Sequence, residues 1–217
     1  PLIYANFDAS TLEKKAENKQ FLQQRLGLAV RDVPMVIMIT RLVGHKGVDL
    51  VQAVMDDLMW DDLQLVIIGT GERQYEDMFR AYAANFPAKM SANIVFDNTL
   101  AHQAYAGADL VLMPSKQEPC GLTQLIAMRY GTIPVVRETG GLFDTVPAYN
   151  VETGEGNGFT FKSYNAHDML DAVRRGESLF YNDKEHWTAL QKSVMAYDSS
   201  WKRSVQEYWD IYHSLTG

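Results

Sequence analysis

The sequence predicts an α/β fold, a doubly wound parallel sheet with helices on both faces, and three observations carry that prediction. Five short runs are apolar almost throughout: residues 34–40 (PMVIMIT), 63–68 (LQLVII), 93–96 (NIVF), 109–113 (DLVLM) and 133–136 (IPVV). Strands covered on both sides read this way, because neither set of alternating side chains meets water. Helical patterns lie between these runs, and strand alternating with helix at such spacing implies parallel crossovers. The chain has 217 residues, 47% of them hydrophobic, enough to bury one sizeable core, so residues 1–217 are expected to form a single domain.

The elements follow in order. Ser10-Thr11-Leu12-Glu13 is a capping-box pattern that opens a helix expected to run to about Leu26 and to end before Gly27. After the first strand, Val48, Val51, Val54, Met55 and Leu58 recur at helical spacing, and residues 75–86 and 121–130 are similar stretches rich in helix formers. A Gly-rich segment follows the fifth strand, then a short FTF strand and three helical stretches. The last of these aligns Trp201, Val205, Tyr208, Trp209 and Tyr212 in one aromatic stripe. Periodicity reads the stripe as a core-packing face; packing on a second domain outside this chain is the alternative.

Composition excludes several classes. The net charge of -7 opposes nucleic-acid binding as the main activity, since phosphate backbones select basic surfaces. One cysteine forms no internal disulfide, and without Cys-x-x-Cys or paired Cys/His spacing no metal site is expected. No run approaches the roughly 18 apolar residues of a membrane span, so a cytoplasmic location with no membrane partner is expected. The chain begins Pro-Leu-Ile, which reads as a piece of something longer.

In a doubly wound sheet, ligands bind outside the carboxyl ends of the strands, so the loops there are the candidates. After the first strand, Arg41 and Lys46 lie on a glycine-containing turn leading into a helix. Such a turn suits an anion, because helix-start amides and fixed cations reinforce one another; it also fits a solvated basic turn, and spacing alone does not choose. Gly69-Thr70-Gly71 after the second strand reads as a tight turn, and neither loop supplies Gly-x-Gly-x-x-Gly, which disfavours an NAD-dependent dehydrogenase. After the fourth strand comes a stretch with Glu118 and Cys120, then a helix from about Leu122. The amides of Leu122 and Thr123 suit a phosphate, and Glu118 suits the hydroxyls of a sugar beside it; a solvated loop glutamate is the commoner alternative. Cys120 has no local histidine partner, so its small size and backbone position count for more than its sulfur. After the fifth strand, Thr139-Gly140-Gly141 allows close backbone approach to the same pocket.

Three segments, TRLVGHKGVDL, SKQEPCGLTQLIAMRYGTIPVVRETGGLFDTV and SWKRSVQEYWDIY, resemble the nucleotide-binding C-terminal half of bacterial glycogen synthases and plant starch synthases. The resemblance extends over essentially the whole chain. It implies a retaining glucosyltransferase of the GT-B type, in which two Rossmann-like domains face each other across a cleft. ADP-glucose is then the donor, an α-1,4-glucan the acceptor, and no metal or other cofactor is implied. Arg41 and Lys46 match the pair that holds the donor diphosphate, and Glu118 matches the glutamate that hydrogen-bonds the glucose. The backbone of Cys120, Gly121, Leu122 and Thr123 matches the segment touching sugar and phosphate. Phe96, expected at the end of the third strand, matches an aromatic against the adenine, and Thr139, Gly140 and Gly141 match a loop beside the sugar. Arg41, Lys46 and Glu118 are therefore the implied catalytic residues.

Many related transferases carry a second glutamate where this chain has Ile126, which disfavours the alternative of a UDP-sugar-dependent GT-B enzyme. The family's N-terminal domain, with its Lys-Thr-Gly-Gly loop, has no counterpart here. The helix from about residue 200 is expected to pack on that domain, and the chain alone to transfer no glucose. A noncatalytic nucleotide-phosphate binding module is the remaining alternative.

Overall fold

A computed structural model describes residues 2–216; the two terminal residues of the expected domain, and the side chains of residues 203, 204 and 216, lie outside the described set. The sheet comprises β1 (Met35–Ile39), β2 (Gln64–Ile68), β3 (Met90–Asn93), β4 (Leu110–Met113), β5 (Ile133–Arg137) and β6 (Phe159–Phe161). All pairings are parallel, in the order β3-β2-β1-β4-β5-β6. The order reverses between β1 and β4, the switch point at which such sheets bind ligands.

The apolar runs are continuous because each strand feeds two cores. Val36, Met38, Leu65, Ile67, Leu110 and Leu112 enter one cluster, and their neighbours Met35, Ile37, Val66, Ile68, Val111 and Met113 enter the other. The first cluster is covered by α2 (Val48–Ala53), α3 (Met55–Trp60), α4 (Arg73–Asn85), α8 (Ala166–Asn182) and α9 (Lys184–Ala196). The second is covered by α1 (Lys15–Leu26), α5 (Asn98–Gly107) and parts of α6 (Thr123–Arg129) and α7 (Gly141–Thr145). Among the described residues, no helix is long and apolar enough to cross a membrane.

Four expectations are corrected. The capping box does not form: Asp8 instead accepts from the Ser10 and Thr11 amides at 2.8 and 3.1 Å, and a 3-10 turn, Leu12–Lys14, precedes α1. The Ser10 amide that Glu13 would take in a capping box is taken by Asp8, whose short side chain reaches the amide two residues on; the C-terminus is as expected, at Gly27 in the left-handed region. The helical pattern from Val48 to Leu58 is two helices broken at Val54. The third strand lies three residues upstream of its apolar run, leaving Val95 and Phe96 exposed beyond it. The aromatic stripe of α10 (Trp201–Thr216) is not a core face: Trp201, Val205, Tyr208, Trp209 and Tyr212 are all exposed.

At the amino ends of the strands, buried charges tie the layers together. Asp109 accepts from the Lys19 ammonium at 2.6 Å and from the Met35 amide at 2.8 Å. Lys15 donates to the carbonyls of Tyr105, Ala106 and Tyr130 and to the Thr132 hydroxyl. Burial pushes the Lys15 ammonium down to about 7, against the pull of Asp109 and with the push of Lys19.

Asp109→Ala leaves Lys19 as an uncompensated buried cation and is expected to cost about 3–5 kcal/mol in urea unfolding. Lys15 also gives a pH signature. The folded chain releases its proton near pH 7 whereas the unfolded chain holds it to about 10.5, so folding expels a proton between those values. Stability therefore gains a contribution as pH rises through that window. Urea titrations of the wild type and Lys15→Met should differ in slope there, the wild type rising more steeply; parallel curves would contradict the assignment.

Candidate functional site

Every carboxyl end of the sheet opens on the same edge, and two loops meet at the switch point. The loop after β1 forms a 3-10 turn, Gly44–Lys46, closed by Gly47 at φ 78°. A side chain at Gly47 would place its Cβ 2.2 Å from the Pro114 carbonyl oxygen, so only glycine lets this turn lie directly on the loop after β4. The Lys116 amide donates to the His45 carbonyl at 2.9 Å and completes the junction.

Across that junction, Lys46 Nζ stands 2.6 Å from Glu118 Oε2, and the Ser115 hydroxyl donates to the same oxygen at 3.1 Å. The side chains are 19% and 12% exposed, so the pair is sheltered and water screens it weakly. Around it lies a small cavity of about 70 Å³ lined by Thr40, Lys46, Ser115, Glu118, Gly121, Leu122 and Thr123. Thr40 and Thr123 also line an adjoining cavity of about 320 Å³ that includes Arg41, Thr70, Phe96, His102, Tyr105 and Ile126. The two together offer a polar, cation-bearing end and a mostly apolar end. Apolar lining with a few placed polar groups is the general character of a small-molecule site.

The structure brings together most of the predicted site residues. Arg41 and Phe96 line the larger cavity, with Phe96 almost fully exposed at its mouth; Lys46, Glu118, Gly121, Leu122 and Thr123 line the smaller one. Leu122 is the N-cap of α6 and Thr123 its first residue, which leaves first-turn amides at the cavity wall. Cys120 is exposed, and its carbonyl accepts from Gln124 at 3.2 Å.

Thr139, Gly140 and Gly141 line neither of these two cavities as described. The close approach is to the chain itself. The Gly141 amide donates to the Glu118 and Pro119 carbonyls at 3.0 and 3.1 Å, and a Cβ there would stand 2.0 Å from the Cys120 carbonyl oxygen. These glycines form the bed on which the Glu118 loop rests.

Several functional candidates escaped the sequence reading. Ser115 is the second partner of Glu118, and nothing local marks it. His102 reaches the larger cavity from α5, which lacked a strong apolar period, with its Nδ1 3.0 Å from the Tyr130 hydroxyl. Arg137 donates to the Lys116 carbonyl at 2.9 Å, and Tyr164 touches both loops. Burial and the Asp49 carboxylate hold the Tyr164 phenol well above its usual range, so it stays a protonated donor.

A further cavity, about 380 Å³, sits at the amino ends of the strands and is lined by Lys15, Lys19, Asp109, Lys184, Trp187 and Lys192. Its inner cations are engaged by Asp109 and by backbone carbonyls, and it lies on the sheet edge opposite the switch point.

Residues 20–187 match the model of the glycosyl transferases group 1 family. The chain is 50% identical to a glycogen synthase of Clostridium acetobutylicum over 98% of its length and 45% of that protein. It is 51% identical to a glycogen synthase of Bacillus subtilis over 100% of its length and 45% of that protein. Its fold superposes, with a TM-score of 0.89 and 36% identity, on the catalytic domain of starch synthase IV from Arabidopsis thaliana bound to ADP and acarbose, covering 99% of this chain and 45% of that one. The chain thus spans less than half the length of these relatives. A glycosyltransferase from Rickettsia africae, 15% identical at a TM-score of 0.69, shares the fold alone. The α/β sheet is one half of a GT-B fold, the homology is to the bacterial glycogen synthases, and the chain belongs to the glycosyl transferases group 1 family.

Proposed function

We propose that this chain is the donor-binding half of a glycogen or starch synthase, which transfers glucose from ADP-glucose to the non-reducing end of an α-1,4-glucan with retention. The observation that carries the reading is the sheltered Lys46 and Glu118 pair at the junction of the two cavities. A diphosphate at the junction meets Lys46, Arg41 and the α6 amides, the sugar meets Glu118, and the base lies in the larger cavity toward Phe96. ADP and acarbose in the Arabidopsis neighbour support the same donor and glucan chemistry. Ile126 in the wall of the larger cavity supports ADP over UDP, since no carboxylate stands at that position.

The chemistry follows from charge. When the bond from glucose C1 to the phosphate oxygen breaks, both electrons go to ADP, and the sugar ring is left with developing positive charge. The acceptor hydroxyl oxygen forms the new bond to C1, and its proton passes to the departing diphosphate oxygen. Arg41, Lys46 and the α6 amides oppose the charge growing on the diphosphate, and they do so more strongly in the transition state than in the ground state. Glu118 orients the ring and eases its positive charge. The acceptor surface belongs to an upstream domain, and the exposed aromatic stripe of α10 is the face we assign to its docking. Arg41, Lys46 and Glu118 are the catalytic residues of this reading.

In the two-domain enzyme, Lys46→Ala or Arg41→Ala is expected to lower kcat by about 100- to 1000-fold in a glucose-incorporation assay; near-normal turnover would reject the assignment. For the chain alone, calorimetry should show ADP binding weakly but more tightly than UDP, with no glucosyl transfer. Equal affinity for both would favour the UDP-sugar reading.

A further inference from the structure

Lys46 and Glu118 approach to 2.6 Å although 72 residues separate them in sequence. Two loops distant in sequence must therefore be held side by side. Backbone contacts provide part of that register, through Lys116 on His45 and Gly47 on Pro114. The remaining ties converge on one side chain from a third loop, after β6. The Tyr164 hydroxyl lies 2.6 Å from Asp49 Oδ1 and 3.1 Å from the Gly44 carbonyl oxygen, its single proton shared between them. Gly44 and Asp49 bracket Lys46 in sequence. The Tyr164 ring lies 5.6 Å from Lys116 Nζ and 5.6 Å from Arg137 Cζ, within cation–π range. Arg137 in turn donates to the Lys116 and Ser115 carbonyls at 2.9 and 3.4 Å. Lys116 and Ser115 belong to the loop that carries Glu118, and Ser115 is itself bonded to the Glu118 carboxylate.

We propose that Tyr164 is a positioning residue: by gripping the Lys46 turn through its hydroxyl and the Glu118 loop through its ring, it fixes the spacing of the two and so the fit of the donor sugar. The inference rests on the donor reading of this site. Tyr164 lines neither cavity of the site among the described residues, so it acts through Lys46 and Glu118. A cation that binds phosphate tolerates a shift of the turn, because a diphosphate presents several oxygens to it. The Glu118 carboxylate does not: Lys46 holds it, so a shift of the turn alone re-aims the oxygens that would read particular sugar hydroxyls. Loss of the clamp should therefore fall on the sugar-bearing donor and spare the bare nucleotide.

The test uses the two-domain enzyme with ADP-glucose as donor and ADP as competitive inhibitor. Tyr164→Phe keeps the ring and removes the hydroxyl, and Tyr164→Leu removes both. Tyr164→Phe is expected to lower kcat/KM for ADP-glucose by about fivefold to tenfold, while Ki for ADP stays within about twofold. Tyr164→Leu should lose more in the same sense, and in a Glu118→Gln background Tyr164→Phe should add little, because both changes act on one contact. Parallel loss for ADP and ADP-glucose together with a lowered Tm would assign Tyr164 a purely structural role and overturn the proposal. So would an unchanged kcat/KM in Tyr164→Phe, a variant that leaves ring packing intact and thus escapes any folding failure of Tyr164→Leu. If the wild type neither binds ADP nor uses ADP-glucose, the donor reading itself fails and the proposal with it. Normal wild-type activity with either overturning pattern defeats the Tyr164 role alone.

Discussion

A parallel sheet sends the carboxyl end of every strand to one edge, and the site depends on that constraint. Loops from strands far apart in sequence must share this edge, so residues 41–47, 96, 115–123, 137–141 and 164 become neighbours without any helix or strand bending to bring them there. The reversal of strand order between β1 and β4 opens a crevice between two of those loops, and the cavities lie along it. Chemistry that joins a nucleotide to a sugar needs an apolar wall, fixed cations and a hydroxyl-reading carboxylate within one crevice. Here each comes from a different loop on the same edge.

Putting charges in such a place has an energetic cost, and the packing around the loops meets it. A carboxylate and an ammonium as sheltered as Glu118 and Lys46 are each stable because the other is present, with Ser115 as a second donor. The loops can be this close only where side chains are missing. Gly47 lies against Pro114, and Gly141 against Cys120, so both glycines make loop-on-loop contacts. Precision in the site is thus built one layer beneath the residues that would touch a donor.

This layering explains what the sequence made legible. Interior strands such as β1 and β2 were plain, because burial on both faces makes their runs continuous. The edge strand β3 departs from its apolar run because its residues MSAN are only partly covered, while Ile94 packs against the first cluster and Val95 and Phe96 line the mouth of a cavity. The aromatic stripe of α10 has the period of a core helix because a periodic face reports burial without saying against what. Arg41, Lys46 and Glu118 stood out as charged residues in loops after strands, and the long EPCGLTQL segment tied them to a family. Ser115, Arg137 and Tyr164 did not stand out, because their partners are remote in sequence and no local spacing encodes a contact between the β1, β4 and β6 loops.

We propose that a donor nucleotide binds at the carboxyl edge, across the junction of the Lys46 and Glu118 loops. The most direct measurement is an amide NMR titration of the chain with ADP. Saturable shifts are expected in residues 40–47, 94–102 and 121–123, with the amino edge silent. Saturable shifts confined to the cavity of Lys19, Lys184 and Trp187 at the opposite edge would contradict it.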